Sequence, residues 1–598
     1  MRKLPYGKSN FLDVIEDNCF YVDKTKYIET IENEHETFIF FLRPRRFGKS
    51  LFVSMLEYYY GIQYKDIFDK TYGNLYIGKH KTPLANSYLV LKFEFSRIDT
   101  RTPESAEVGF NNNVKRGINE FFSIYSNLFE KTDADKVLEY HSANEYIKEL
   151  FSIYILKKIT IPIYIIIDEY DHFANELLAF KPDKFKKIVS ENGFVRKFYE
   201  AIKTATGQKI VRRMFATGVT PITLDSLTSG FNIAKNFSMR ANMNNSMGFT
   251  QNELEKLLTE FAAEYGYELY LPKLLPDLKR WYNGYLFNAK AADRIYNPDM
   301  VLHFISEFSQ NKFNEYPEKI LDINIATDYA KLQKLFEIQY PARNLKIIDK
   351  IIEEGGHETS ITQQFSYERD FSANDFISLL FYMGYLSIEK ADFAVVKMQI
   401  PNYVIKTLFY DFFAEKIKAD AQLEIETPDI YNIVKVLAQN NNIAPFMELI
   451  ESVLKGLSNR DFIKFDEKYI HLLFIVFANQ AGFYYVKSEP EINQKYPDVM
   501  FLWRPPFFPK YQFVFEIKYL KKSDTHLLDS KKKEAKEQLL GYLASPELKD
   551  FVVRSEGGME TVKAYTVVFV GEKAESVEEL GIRNYYEPHR SDLFVENG

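Results

Sequence analysis

One strand-loop-helix signal constrains this chain more than any other feature in it. Residues 38–51 read FIFFLRPRRFGKSL, an apolar run, a basic loop and a Gly-Lys-Ser that opens a helix near Lys49. Downstream, residues 162–171 read PIYIIIDEYD, a second apolar run that ends on two acids. Short apolar runs bounded by turn residues fit strands buried on both faces, as in a parallel sheet covered by helices. Two more runs, 88–95 (YLVLKFEF) and 211–217 (VRRMFAT), flank a stretch at 103–158 that is mostly helical in pattern. Strands alternating with helices predict an α/β layer architecture.

The loop has the chemistry of a phosphate cradle. Gly48 lets the backbone approach a phosphate with no Cβ in the way. Lys49 reaches β- and γ-phosphates, the Ser50 hydroxyl is a ligand for Mg²⁺, and backbone N–H groups at the helix start face the anion. Arg45 and Arg46 add charge beside it. Arg43 stands where a first glycine is usual, and Pro44 pushes it towards extended geometry. Asp168 ends the downstream strand, placed to hold Mg²⁺ through water, and Glu169 is placed to orient and deprotonate the attacking water. Asp171 reads as a helix N-terminal acid. Thr217 is either a sensor of the γ-phosphate or an ordinary strand-end threonine.

At 598 residues the chain exceeds one core. Its 46% hydrophobic content argues against disorder, and a net charge of −7 means that any nucleic-acid contact must use a local patch. One cysteine, Cys19, excludes an internal disulfide and favours a reducing compartment. The start, MRKLPYGKSNFLDVIEDN, has no apolar signal core, and no run reaches the ~18–20 apolar residues of a membrane helix, so a cytoplasmic location is expected.

From Phe249 the pattern turns helical, with Thr250 and Glu253 spaced as a capping box. Residues 376–415 read helix, two strands (YLSIEK and FAVVKMQIP), helix, a winged-helix-like order. Residues 428–457 are helical, and from about 460 an apolar helix leads into strands.

These strands carry a second constellation. Asp498 opens DVMFLW, Glu516 and Lys518 close FVFEIKY, and RPPFFPK between them must turn, because proline cannot sit inside a ladder. A hairpin that pairs Asp498 with Glu516 turns about Phe507, the middle of that segment. Both carboxylates then share a face and one cation, and Lys518, two residues on, joins them. Two carboxylates and a lysine are what metal-dependent phosphodiester hydrolysis requires. Lys521, Lys522, Lys531, Lys532, Lys533 and Lys536 follow, a basic cluster that suits a phosphate backbone or is simply a solvated face.

The chain resembles the AAA-ATPase-like proteins that carry a C-terminal PD-(D/E)XK nuclease domain. The resemblance rests on Tyr21-Val22-Asp23-Lys24-Thr25 ahead of RPRRFGKSL, then IIIDEYD, ATGVTPI, SMGFTQNEL, WYNGYLF, IYNPDMVL and the IPN at 400–402. It spans nearly the whole chain, and it makes Arg43 ordinary at its position. It implies a P-loop NTPase parallel-sheet domain over 1–250, a helical lid with a winged-helix-like module over 251–458, and an α/β restriction-endonuclease-like domain over 459–598. It extends the second site to Gln538 and Tyr542, a Q-x-x-x-Y element on one helix face, and to Glu467, which is either an accessory ligand or a solvated acid. His471 reads as a packed helix residue, Glu489 as a weaker candidate, and WYNGYLF as packing and turn geometry.

Together these features predict an ATP-dependent, Mg²⁺-dependent enzyme that cleaves nucleic acid, DNA rather than RNA. The alternative is an ATP-controlled switch whose C-terminal domain binds nucleic acid or a partner without cutting. A homo-oligomeric motor would need an arginine donated between subunits, for which Arg212, Arg213 and Arg240 are available.

Overall fold

The computed structural model describes residues 1–96, 98–172, 193–221, 233–267, 269–313, 315–321, 335–365, 370–457, 466–488, 497–544 and 559–581. Glu489 lies outside them. The chain forms two compact units, one of Met1–Asn314, Ile320–Ile348 and Gly356–Tyr403, the other of Glu315–Lys319, Asp349–Gly355 and Val404–Gly598.

In the first unit, β1 (Phe38–Leu42), β2 (Leu89–Glu94), β3 (Ile163–Asp168), β4 (Val211–Gly218) and β5 (Lys235–Asn236) form one sheet in the order β2-β3-β4-β1-β5. Every pairing in it is parallel. The apolar runs read from the sequence are these strands, and β3 is buried along its whole length. Register aligns their carboxyl ends: Leu42 lies opposite Gly218, and Glu94 opposite Asp168. Helices Pro103–Ile124, Lys131–Leu138 and Ala143–Leu156 fill the stretch expected to be helical. The first and third start on capping boxes at Thr102 and Ser142.

Helix Gln251–Tyr265 begins on the expected Thr250–Glu253 capping box. WYNGYLF begins in the last turn of helix Leu271–Tyr282 and has a packing role. Trp281 is fully buried, 5.5 Å from Phe304. Gly284 has φ +112°, and a Cβ there would meet the Pro401 carbonyl oxygen at 1.8 Å. WYNGYLF and IPN are thus two sides of one close backbone approach that only glycine permits. β6 (His357–Thr359), β7 (Ser387–Asp392) and β8 (Val395–Gln399) make a small antiparallel sheet in the order β6-β8-β7. Helix Ala373–Tyr382 precedes its hairpin and helix Tyr403–Ala421 follows it.

The second unit holds a mixed sheet of β9 (Tyr484–Ser488), β10 (Val499–Trp503), β11 (Gln512–Leu520), β12 (Val562–Val570) and β13 (Lys573–Leu580), in the order β13-β12-β11-β10-β9. β11 and β12 run parallel and the other pairs antiparallel. Helix Glu467–Gln480 packs on it, with Phe474 edge-on to Phe515 at 5.3 Å. Val499 pairs with Phe515 and Phe501 with Phe513, the register that turns about Phe507. In the turn, the Trp503 indole N–H donates to the Pro509 carbonyl at 2.7 Å. No described helix is long and apolar enough to cross a membrane.

Candidate functional site

At the carboxyl ends of β1, β3 and β4 the loop 43–48 leads into helix Lys49–Tyr60, whose N-cap Gly48 is left-handed at φ 85°. Arg46 is left-handed too, at φ 67°. These torsions turn the chain tightly around the space at the helix N-terminus, where N–H groups and the helix dipole favour an anion. Lys49 is buried, and its Nζ donates to the Pro44 carbonyl across the loop at 3.0 Å. Burial pulls its pKa below the usual lysine value, against the charges of Glu169, Asp168 and Asp171. The Ser50 side chain favours the ionised form of Asp168. Burial raises the Asp168 carboxyl to about 6, and the charge of Glu169 adds to that, while Ser50 and Lys49 oppose it. Glu169 is left-handed at φ 51°, and its N–H donates to Asp168 Oδ1 at 3.0 Å.

Arg43 is not a phosphate group. Its guanidinium is 1% exposed, donates to the carbonyls of Leu42, Ser238 and Met243 at 2.7–2.9 Å, and stacks on Phe41 and Phe287. It ties the loop entry to the segment after β5. Two further residues are held by hydrogen bonds. The Thr217 hydroxyl donates to the Phe41 carbonyl at 2.7 Å, cross-linking β4 to β1. Asp171 is 1% exposed and accepts from Val219 N–H, Thr220 N–H and the Thr220 hydroxyl, so it staples the exit of β4. Arg213 is buried among Tyr60, Tyr88 and Tyr164, and Arg240 pairs with Glu34 over Phe237. Of the three arginines considered for a neighbouring subunit, Arg212 is the exposed one.

A cavity of about 410 Å³ opens beside this loop, lined by Arg45, Arg46, Lys49, Ser50 and Glu169. Its apolar walls come from Pro5, Tyr21, Met247, Phe249, Leu257 and Leu302. Sequence reasoning missed these walls, which are scattered along the chain with no shared pattern. One signal was available: the motif lysine Lys24 also lines the cavity and is 8% exposed. Its Nζ donates to Glu253 at 2.7 and 2.8 Å and to the Asn245 carbonyl at 2.9 Å. Glu253 is also the acid of the capping box, so one ion pair clips YVDKT to SMGFTQNEL and holds Met247–Phe249 in the wall.

The second site is built across a helix and a hairpin. Glu467 and His471 lie one turn apart on helix Glu467–Gln480, whose N-cap Asp466 accepts from Tyr469 N–H. Asp498 precedes β10, and its Oδ2 accepts from Ile517 N–H at 2.6 Å. Glu516 and Lys518 share a face of β11, and Lys518 Nζ lies 2.8 Å from Glu516 Oε1 and 3.5 Å from Glu467 Oε1. His471 Nε2 lies 3.5 Å from Asp498 Oδ2, longer than a firm hydrogen bond. Glu467, His471 and Asp498 each bring a donor atom within 4.8 Å of the others. His471, expected as a packed helix residue, therefore stands among the acids.

The electrostatics push the two buried carboxyls apart. Burial, then the Asp498 charge, raises Glu516 to about 7. Burial also opposes Asp498 ionisation, but His471, Lys518 and the Ile517 N–H outweigh it and hold that group below its usual value. Burial pulls His471 down, yet Asp498 and Glu467 leave it above its ordinary value. Glu516 Oε2 and His471 Nε2 are buried with no hydrogen-bond partner among the described residues. An unsatisfied Glu516 oxygen beside an ionised Asp498 fits a cation.

Gln538 is exposed and Tyr542 half-buried on helix Leu528–Leu543. The basic cluster is largely paired. Lys522 meets Glu572, Lys531 Glu534, Lys532 Asp529, Lys533 Glu537 and Lys536 Glu578.

Residues 5–228 match the family described as "Predicted AAA-ATPase", and residues 465–579 match the PD-(D/E)XK nuclease superfamily. The chain is 28% identical over 311 residues to the "Uncharacterized protein in vnfD 5'region" of Azotobacter chroococcum mcd 1. That match covers 51% of this chain, which spans about half (52%) of the relative's length. Among solved structures, the Walker-type ATPase PABY2304 of Pyrococcus abyssi aligns at TM-score 0.36 and 12% identity, over 68% of this chain and 98% of that one. The Aeropyrum pernix ORC1 protein in complex with DNA aligns at 0.25 and 10%, over 66% and 93%. Likenesses this weak bear on neither fold nor function. With both family matches falling on the geometry described above, the chain combines an N-terminal AAA-ATPase-like domain with a C-terminal domain of the PD-(D/E)XK nuclease superfamily.

Proposed function

We propose that this protein binds and hydrolyses ATP and couples nucleotide occupancy to metal-dependent cleavage of nucleic acid, with DNA the expected polymer. The observation that carries the reading is the meeting of Asp498, Glu516 and Lys518 with Glu467 in one cluster. In that cluster Asp498, Glu516 and Glu467 are the residues to hold a divalent cation. Such an ion, when bound, polarises a phosphoryl oxygen and acidifies water. Lys518 is anchored by two carboxylates and stays charged, so it faces a phosphate as a fixed donor. Asp498 is held in orientation by the Ile517 N–H.

At the nucleotide site, Ser50 and Asp168 are the Mg²⁺ residues, Lys49 and the loop N–H groups the phosphate donors, and Glu169 the base. Lys49 exchanges its Pro44 contact for phosphate oxygens, which gives occupancy a direct hold on the loop. Arg46, ion-paired to Asp299, and Arg45 flank the same cavity. A division at 250 and 458 into ATPase, lid and nuclease parts fits these roles, and a homo-oligomer would rely on Arg212.

The test is cleavage of linear and circular DNA by the full chain with a divalent cation, with and without ATP, beside Asp498→Ala. Cleavage lost in the variant supports the reading, and no cleavage by the parent under any condition overturns it. The ion-paired lysines favour one rival, a nucleotide-controlled switch whose C-terminal domain binds a protein partner. That rival is expected to retain no DNA at physiological salt without a cation.

A further inference from the structure

The loop ahead of Gly48 is gripped along its length by residues far downstream. The Arg43 guanidinium lies 4.0 Å from the centre of the Phe287 ring. Gly384 sits so close to Pro44 that a Cβ there would meet the proline Cβ at 2.8 Å. The Asn297 side-chain nitrogen lies 3.5 Å from the Arg45 carbonyl oxygen. Arg46 pairs with Asp299 at 3.4 Å, and Phe47 stands edge-on to Tyr285 at 4.9 Å. Tyr285 and Phe287 belong to WYNGYLF, Asn297 and Asp299 to IYNPDMVL. Two motifs with no reactive chemistry of their own thus meet on residues 43–47.

Packing and backbone satisfaction account for four of these contacts. The ion pair asks for more. Asp299 lines the cavity of about 410 Å³ together with Arg45, Arg46 and Lys49. An acid in the wall of an anion site repels the anion that the site would hold. As a first-turn residue of helix Pro298–Gln310, Asp299 complements the helix dipole. That explains an acid at this position but not its engagement with the loop. Arg46 keeps a left-handed backbone at φ 67°, which a residue with a side chain adopts only where its surroundings fix it. The pair itself is loose, with the arginine side chain 34% and the aspartate 13% exposed. A guanidinium held this way is open to a stronger anion, and phosphate is one.

We infer that Asp299 and the phosphates of a nucleotide compete for Arg46. Asp299 is then a positioning residue: it keeps the guanidinium over the cavity, and a polyphosphate takes that group over through a stronger charge-assisted contact. The exchange undoes the ion pair between the loop and helix Pro298–Gln310, whose Phe304 packs on Trp281 of WYNGYLF. Nucleotide occupancy is thereby passed to the residues that grip the loop. The inference rests on the ATP-binding reading and adds a means of regulation to it.

The test is calorimetric ATP binding to the full chain in four forms: the parent, Asp299→Asn, Arg46→Ala and the double variant. Competition gives the first substitution an unusual sign. Asp299→Asn should bind ATP about three- to fivefold more tightly than the parent, the change that one partly exposed ion pair carries. Arg46→Ala should bind it more weakly by a similar factor, and adding Asp299→Asn to that variant should change the affinity by less than about twofold. Asp299→Ser replaces the asparagine variant if melting shows the latter unfolded. Weaker or unchanged binding in the Asp299 variants would make the pair a structural tie and overturn the inference. Tightening of the same size in the Arg46→Ala background overturns it too, because Asp299 would then act as a bare charge. A parent that binds no ATP is a separate failure, of the nucleotide reading itself, and the inference falls with it.

Discussion

On the proposed function the two sites hold phosphate chemistry in place by opposite means. The nucleotide site is made of backbone. Left-handed Gly48 and Arg46 and a helix N-terminus create its phosphate loop in one contiguous stretch of sequence, to which the end of β3 brings Asp168 and Glu169. The second site is made of side chains. Glu467 and His471 come from a helix, Asp498 from the residue before β10 and Glu516 from β11, and helix packing together with the β10–β11 register brings them together. A backbone site tolerates exchange of its ornaments but not of its torsions. A side-chain site tolerates drift in its loops but not a slip of one residue, which would turn Glu516 and Lys518 to the other face.

The comparison breaks most easily at the side-chain site. Asp498→Ala is expected to lower DNA cleavage on the order of a thousandfold or more, with ATP turnover within about twofold of the parent. Equal loss of both activities in parallel assays would mean the sites are not separable. Next comes Lys49→Ala, which removes a charged phosphate donor and should weaken ATP binding by roughly ten- to a hundredfold in calorimetry. Unchanged affinity would take Lys49 out of the site.

The smaller effects sharpen the contrast. Gly284→Ala forces a Cβ onto the Pro401 carbonyl at a positive φ and should cost on the order of 3 kcal/mol, read as a lower Tm. Asp168→Asn should do the reverse, increasingly as pH rises from about 4 towards 6 and fully above it. The folded carboxyl is raised to about 6, above its unfolded value. The native state therefore holds more protons across the window below pH 6, and stability falls as pH rises through it. The asparagine variant should melt higher than the parent by on the order of 2 kcal/mol at pH 7.5 and match it near pH 4. A constant difference across pH would assign the effect to packing. Last, Thr217→Val removes the hydroxyl tie to Phe41 and should cost about 1 kcal/mol, with ATP turnover changed by less than about threefold. A larger loss of turnover would restore Thr217 as a phosphate sensor.

How much of this was legible follows the same division. β1 and β3 were readable because burial on both faces leaves unbroken apolar runs, and the loop because its motif is contiguous. The hairpin register was readable because the prolines of RPPFFPK pin the turn. The cavity walls were not, since Pro5, Tyr21, Met247 and Leu302 converge only through tertiary packing. Nor were the partners of the lysine cluster. Glu572 and Glu578 reach Lys522 and Lys536 from beside and within β13, and no local pattern announces that neutralisation. Thr217 offered two roles because it stands at a strand end. Its hydroxyl bonds to a backbone carbonyl, which a one-dimensional reading cannot count.

The chain contains two tryptophans, and each compact unit holds one. Trp281 is sealed against Phe304, whereas the Trp503 indole is half-buried in the proline turn that sets the carboxylate register. Nature has thus placed a separate optical probe in each half. Trp503→Phe leaves an emission that follows the nucleotide-binding half alone, and Trp281→Phe one that follows the turn beside the carboxylates. Unfolding traces of the two single-emitter proteins, superimposed, would tell whether the halves melt together or in sequence without any label being attached.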